Sequence, residues 1–181
     1  MSDCLVSISC FTYNHEPYIR QCLDGFVMQK TNFKFVAIVH DDASTDRTAD
    51  IIREYEAKYP EIIKPIYETE NQYSKKDGSI GRIMNAAIDA TGAKYIAMCE
   101  GDDYWTDPYK LQKQVDILEK DGTLMACVAN CSVVDNNGQT INEVRGGVVK
   151  DDVEGRYNLR RFFDNAHQYP ALSVTFDYTC H

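Results

Sequence analysis

Positive charge is scarce in this sequence: 19 Lys and Arg stand against 28 Asp and Glu, for a formal net charge of -9. No basic run offsets the deficit, so a nucleic-acid backbone is not an expected partner, and a phosphate-bearing ligand would need a bridging cation. Long apolar runs are missing as well. No stretch approaches the roughly 18 residues of a membrane span, and Met1-Ser2-Asp3-Cys4 lacks the basic-then-apolar pattern of an export signal. The expected location is therefore a reducing cytoplasm, with peripheral contact at the inner face of a membrane left open. The seven cysteines contain no CxxC pair, and Cys4, Cys10, Cys22, Cys99 and Cys127 lie among apolar neighbours, as reduced core thiols do. Cys127 and Cys131 with His167 or His181 make a poor zinc set, because the strand-like stretch around them points to packing. Two phosphate fingerprints are also absent. No GxGxxG follows the first apolar run and no GxxxxGK[ST] occurs, which removes the warrant for a dinucleotide fold or a P-loop enzyme.

What is present is one core's worth of apolar sequence, 44% of 181 residues, so a single domain over 1–181 is expected. Leu5 to Phe11 reads as a strand, and Thr12-Tyr13-Asn14-His15 leads to Glu16-Pro17, which opens a helix whose Tyr18, Ile19, Cys22, Leu23 and Phe26 share a face. Phe35 to Val39 is a second strand. The polar His40 to Thr48 follows it, and Ile51, Ile52, Tyr55 and Tyr59 mark the next helix. Ile62 to Tyr67 is a third strand whose Pro65 assigns it to an edge or an irregular place. After a polar loop from Glu68 to Ser79, a third helix carries Ile80, Ile83, Met84, Ala87 and Ile88 and stops at Gly92. Tyr95 to Cys99 is apolar enough for a covered central strand, and Pro108 to Lys120 forms a fourth helix with Leu111, Val115 and Leu118 inward and Gly122 as its stop. This alternation implies an α/β fold with a mainly parallel sheet and helices on both faces. Beyond Gly122 the rhythm changes. Met125 to Val134, the turn Asn136-Asn137-Gly138 and Thr140 to Val144 suggest a hairpin or mixed-strand extension, Arg145 to Asn158 a loop, Leu159, Phe162 and Phe163 a short helix, and Leu172 to Phe176 a last strand.

Three strand ends in this reading carry polar groups to one rim: Thr12-Tyr13-Asn14, Asp41-Asp42, and Glu100-Gly101-Asp102-Asp103. Three acids packed this closely repel one another, which favours a divalent cation among them over a simple helix cap. A nucleoside diphosphate needs a flat surface for its base, an acceptor for base or ribose, and a cation for its phosphates; Tyr13, Asp42 and the Asp102-Asp103 pair offer these in turn. A phospho-accepting signalling domain of flavodoxin-like fold would also place an acidic pair at Asp41-Asp42. It needs a Lys at a fifth strand end, and Met125 to Val134 supplies none.

The residues resemble the family 2 glycosyltransferases, inverting enzymes of the Rossmann-like GT-A fold. The resemblance rests on Val6-Ser7-Ile8-Ser9-Cys10-Phe11-Thr12-Tyr13-Asn14, on Val39-His40-Asp41-Asp42-Ala43-Ser44-Thr45-Asp46-Arg47-Thr48, and on Glu100-Gly101-Asp102-Asp103. It covers roughly residues 5–120, the nucleotide-sugar-binding half, with 121–181 as the incomplete start of the acceptor side. It implies transfer of a sugar from a nucleotide-diphosphate donor, UDP-sugar favoured, to the hydroxyl of an acceptor glycan or lipid-linked sugar, with Mg²⁺ or Mn²⁺ as cofactor. By position Asp42 matches the acid at the base, Tyr13 the aromatic near it, Asp102 an acid near ribose and diphosphate, and Asp103 the metal ligand, with Asp102 as a second. Thr12, Asn14, Asp41 and Arg82 complete the implied nucleotide-sugar set, although Arg82 is offset from Asn85 by an unusual spacing. Glu100 stands where many members have Asp, which lengthens the arm and can move it out of the first metal shell. The implied catalytic base falls beyond His181, so the chain reads as truncated; Asp164, His167, Asp177 and His181 are the late candidates inside it. The alternative is a nucleotide-sugar-binding module that lacks transfer activity for want of that base.

Overall fold

The computed structural model describes residues 4–121, 124, 127, 129, 131–135, 139–144 and 179–180. The rest of the main sheet is assembled on β1 (Cys4–Thr12), which pairs in parallel with β2 (Lys34–Asp41) on one side and β4 (Tyr95–Met98) on the other. The third strand, β3 (Ile63–Tyr67), adds in parallel to β2, giving the order β3-β2-β1-β4. The chain thus winds outward from β1 to β3 and then crosses back to the far side of β1. In such sheets the crevice opens where the winding reverses, here at the carboxyl ends of β1 and β4.

Side chains alternate between two cores, as a pleated strand requires. Val6, Ile8, Cys10, Ala37, Val39, Ile63, Tyr95 and Ala97 meet buried residues of α1 (Ile19–Val27), α2 (Thr48–Lys58) and α4 (Lys110–Lys120). On the other face Ile38 and Ile96 meet Met84 and Ile88 of α3 (Ser79–Thr91). Helices therefore cover both faces; the stripes expected for α1, α2 and α4 are buried at Ile19, Cys22, Leu23, Phe26, Ile51, Ile52, Tyr55, Leu111, Val115 and Leu118, whereas in α3 only Met84 and Ile88 are fully buried and Ile80, Ile83 and Ala87 partly so. Gly92 ends α3 in the left-handed region at φ 65, where a side chain would be strained.

Among the described residues Pro65 lies on an edge strand, in keeping with its missing donor. The expectation of a central position for Tyr95 to Cys99 is corrected: among the described residues β4 ends the order. Its apolar character comes instead from cover on both faces, with Tyr95 and Ala97 in the larger core and Ile96 against α3. The fourth helix starts at Lys110 rather than Pro108, because Pro108 and Tyr109 form a turn before it, in which the Asp107 side chain accepts the Tyr109 N–H at 2.9 Å.

Beyond α4 a mixed sheet forms, with β5 (Cys131–Val134) antiparallel to β6 (Thr140–Val144) and parallel to β7 (Thr179–Cys180). The hairpin is as expected, though its first strand takes only the last four residues of Met125 to Val134. Gly122, the Asn136-Asn137-Gly138 turn, the Arg145 to Asn158 loop, the helix around Leu159, Phe162 and Phe163, and the strand expected at Leu172 to Phe176 lie outside the described residues. Among the described residues no helix is long and apolar enough to cross a membrane.

Candidate functional site

Parallel pairing brings the ends of β1, β2 and β4 to one edge, and a cleft of about 230 Å³ opens there. Phe11 and Thr12 line it from β1, Tyr13 and His15 from the loop after it, and Asp42 from just past the end of β2. Asn71 and Tyr73 contribute from the loop after β3, Ile80 from α3, and Glu100 from the end of β4. Ligand pockets more often run from roughly 300 Å³ upward, so this cleft suits part of a nucleoside diphosphate rather than the whole donor.

The acidic loop is held close over β1. Cys99 N–H donates to Ser9 O at 3.1 Å and Gly101 N–H to Phe11 O at 2.8 Å, so pairing with β1 continues past the end of β4. A Cβ on Gly101 would lie 2.7 Å from both Cβ and Oγ1 of Thr12 and 2.9 Å from Nδ1 of His15. Glycine is thus required here by close approach. From below, α1 presses on the same loop: a Cβ on Gly25 would sit 2.9 Å from the Trp105 backbone nitrogen, and Phe26 meets the Trp105 ring edge-on at 5.0 Å. Buried Gln29 fastens the loop to α4, donating to Gly25 O at 3.1 Å and Asp107 O at 2.9 Å and accepting the Leu111 N–H at 3.1 Å.

Of the residues singled out in the sequence, Thr12, Tyr13, Asp42 and Glu100 reach the cleft. The Thr12 hydroxyl is buried there with no hydrogen-bond partner, and the Tyr13 ring is 44% exposed. Asp42 is buried, and its two carboxylate oxygens accept the backbone N–H groups of Gln72 at 2.6 Å and Tyr73 at 3.0 Å. Glu100 keeps contact with solvent, but the protein crowded around its carboxyl, and then the charge of Asp102, push its pKa up to about 7.

Other expected residues serve the rim's construction. Asn14, at φ 55, accepts the Thr45 N–H at 2.8 Å through its side chain and donates its own N–H to the Ser44 hydroxyl at 2.9 Å, tying the loop after β1 to the loop after β2. Asp41 turns to the opposite face from Asp42 and accepts from the hydroxyl and N–H of Ser44; burial raises its pKa. Arg82 is exposed and folds back to donate to Asp77 O at 2.7 Å, away from the cleft lining. Asp102 lies 3.9 Å from Nε2 of His15, and Asp103 is buried, its N–H donating to Glu100 O at 3.1 Å. Asp164, His167, Asp177 and His181 lie outside the described residues.

The cleft also contains residues that sequence reasoning passed over. His15 extended the first rim by one residue, and its Nδ1 is buried without a hydrogen-bond partner. Asn71 and Tyr73 belong to a stretch read only as a polar loop; an Asn and a Tyr amid charged residues were the available signal. Among the described residues no group of three or more His, Cys, Asp or Glu is arranged to hold a metal. Glu100 and Asp102, whose mutual repulsion contributes to the raised Glu100 pKa, still suit a hard cation that takes its remaining ligands from phosphate and water.

A parallel α/β sheet with an aromatic and acidic cleft at its reversal point, and no phosphate-binding loop, defines a fold of the GT-A type. The chain belongs to glycosyl transferase family 2, whose model matches residues 7–179. An uncharacterized protein of Mycobacterium tuberculosis is 42% identical over 140 residues, which are 76% of this chain and 38% of that protein. TuaG of Bacillus subtilis, named for teichuronic acid biosynthesis as a glycosyltransferase, is 32% identical over 114 residues, 63% of this chain and 42% of its own length. Among solved structures, TarS of S. aureus in complex with UDP superposes with a TM-score of 0.56 at 22% identity, covering 76% of this chain and 38% of that one. Mannosyltransferase PcManGT from Pyrobaculum calidifontis, in complex with GDP-Man and Mn²⁺, gives 0.54 at 25% identity, covering 72% and 35%. The chain spans about two fifths of the length of these two curated relatives.

Proposed function

We propose that residues 4–121 form the donor site of a glycosyltransferase that moves a sugar from a nucleoside diphosphate, a UDP-sugar by preference, to an acceptor hydroxyl with inversion. The carrying observation is the cleft itself, which combines an exposed Tyr13 ring, an unpartnered Thr12 hydroxyl and the Glu100 carboxylate, with the charge of Asp102 close behind it, at the reversal point of the sheet. Tyr13 offers a face to the nucleobase, and the Thr12 hydroxyl donates to a ribose or phosphate oxygen. Glu100, Asp102 and Asp103 are the residues that would hold Mg²⁺ or Mn²⁺. A divalent cation so held supplies neutralisation of the charge that gathers on a departing diphosphate. Inversion requires the acceptor hydroxyl to attack from the opposite face and a base to take its proton. The acidic pair is committed to the cation, so that base belongs outside the described cleft. A glycan or related polymer as acceptor is supported by relatives named for teichuronic acid biosynthesis and as a poly(ribitol-phosphate) β-glucosyltransferase.

Titration calorimetry with UDP and with GDP, each in Mn²⁺, in Mg²⁺ and with chelator, tests the reading. Binding is expected in the presence of either cation and lost with chelator. Equal affinity with and without cation would sink the metal bridge, and absence of binding by both nucleotides under all conditions would sink the donor site.

A further inference from the structure

His15 stands where the loop after β1 meets the acidic loop after β4. Its carbonyl accepts the N–H groups of Tyr18 at 2.9 Å and Ile19 at 2.8 Å, which starts α1. On either side the backbone is pinned to the loop after β2, with Asn14 N–H on the Ser44 hydroxyl at 2.9 Å and Glu16 N–H on Asp46 Oδ2 at 3.0 Å. The imidazole is thus carried on a fixed main chain, and it lines the cleft. Its two nitrogens meet different surroundings. Nδ1 is buried without a hydrogen-bond partner, on the side of Gly101, where a Cβ would come within 2.9 Å of it. Nε2 lies 3.9 Å from Oδ2 of Asp102, and the two side chains are 23% and 40% exposed.

That spacing is too long for a hydrogen bond, which runs to about 3.2 Å. It suits two ligands of one ion, because groups held about 2.0–2.2 Å from a shared metal stand up to roughly 4.4 Å apart. A neutral histidine binds metal through a single ring nitrogen, and with Nδ1 buried the one on the Asp102 side is Nε2. The charge of Asp102 is felt by Glu100 across the same rim, so a cation there relieves a repulsion. Among the described residues no three His, Cys, Asp or Glu form a ready-made cage. A pair of protein ligands is the pattern of a site that completes its shell with substrate phosphates and water.

We propose that His15 Nε2 joins Asp102 as a ligand of the donor-site cation and gives that site a preference for Mn²⁺ over Mg²⁺. This rests on the donor-site reading above. A nitrogen ligand favours an ion of the first transition series, whereas Mg²⁺ is bound through oxygen. A histidine directly after the Tyr13-Asn14 pair then tunes the metal rather than the nucleotide.

Pulsed EPR of the full chain with Mn²⁺ and UDP reads the contact directly, because an imidazole nitrogen bound to Mn²⁺ modulates the electron spin echo. Nitrogen modulation is expected in the parent, and isotopic nitrogen labelling of the histidines should shift it, which separates it from the uracil ring. His15→Gln, which offers an oxygen in place of the nitrogen, should lose it. Calorimetry supplies a second readout: UDP in Mn²⁺ should bind His15→Gln at least about 10-fold more weakly than the parent, the lower end of what even an outer partner of a metal ligand contributes, while UDP in Mg²⁺ binds both alike. A parent that binds Mn²⁺ and UDP without histidine nitrogen modulation would overturn the ligand and leave the donor site standing, and this outcome needs no variant. Modulation that survives His15→Gln would overturn it too. Equal losses in Mn²⁺ and Mg²⁺ would overturn the preference. A parent that binds UDP with neither cation would remove the donor-site reading and this proposal together.

Discussion

Gly101→Ala should destabilise the fold at its most crowded point. The added Cβ meets Thr12 Cβ and Oγ1 at 2.7 Å and His15 Nδ1 at 2.9 Å, separations that real Cβ atoms do not tolerate. Neither side yields easily. Thr12 is the buried last residue of β1, paired with Asp41 and accepting the Asp42 N–H at 3.0 Å, while Gly101 is drawn inward by its own bond to Phe11 O at 2.8 Å. Relief means lifting the acidic loop off β1, at about 1–3 kcal/mol for overpacking and roughly 1 kcal/mol for the lost hydrogen bond. Replacing glycine returns about 0.4–1 kcal/mol by restricting the unfolded chain, leaving a net loss of about 1–3 kcal/mol. For a chain of this size that is a fall of roughly 2–12 °C in Tm. Circular dichroism melts of the parent and the variant measure it, with Gly81→Ala as the control: nothing lies within 4 Å of a Cβ there, so this helical site should gain stability. A Gly101→Ala protein melting at or above the parent would refute the close-approach argument.

Two further outcomes are expected. In the metal-free protein Glu100→Gln should raise Tm at pH 8 and leave it nearly unchanged below about pH 4.5. The parent's Glu100, with its pKa pushed up to about 7 from an ordinary 4.5, holds a proton in the native state that the unfolded chain has released, so its favourable contribution is complete below pH 4.5 and lost as pH rises through 7; parallel melting curves for both proteins from pH 4 to 8 would contradict the crowding of that carboxyl. Gln29→Leu should cost about 1–3 kcal/mol, because the Leu111 N–H loses its acceptor in a buried place, and chemical denaturation that shows no loss would mean water replaces the amide.

The sequence disclosed most of the sheet because its periodicities are strong: apolar runs of strand length alternate with three- and four-residue helical spacing up to Lys120, and Pro65 and Gly92 sit where their chemistry confines them. The place of β4 was less legible. An apolar run reports burial on both faces, and α3 and α4 deliver that to β4 even at the end of the order β3-β2-β1-β4. At the site, residue type located the rim but not the direction of each side chain. Asp41 is the last residue of β2 and Asp42 the first beyond it, and their side chains part, one to Ser44 and one to the cleft and the Tyr73 turn. Arg82 could not be placed from spacing, since a local bond to Asp77 O decides where its guanidinium goes. Tyr73 was hidden for a different reason: a polar loop has no period from which to read which residue returns to the sheet edge.

The same geometry explains why the motif after β2 is longer than the cleft needs. Of Asp41 to Thr48, only Asp42 lines the opening. Ser44 and Thr45 bind Asn14, Asp46 accepts the N–H groups of Glu16 at 3.0 Å and Thr48 at 2.9 Å, and Glu16 in turn accepts the Arg47 N–H at 3.1 Å. The loops after β1 and β2 are therefore bonded to each other as densely as a hairpin, although parallel neighbours have no short connection to align them. At about 0.5–1.5 kcal/mol for each bond, this lattice is strong enough to hold Ala43 and Asn14 at φ 63 and 55, in a region that costs non-glycine residues roughly 1–2 kcal/mol each. Rigidity at the rim comes from residues that do not line the cleft. Tyr13 can then stand exposed at one lip of the cleft with its backbone fixed, because Asn14 beside it is anchored across to the second loop.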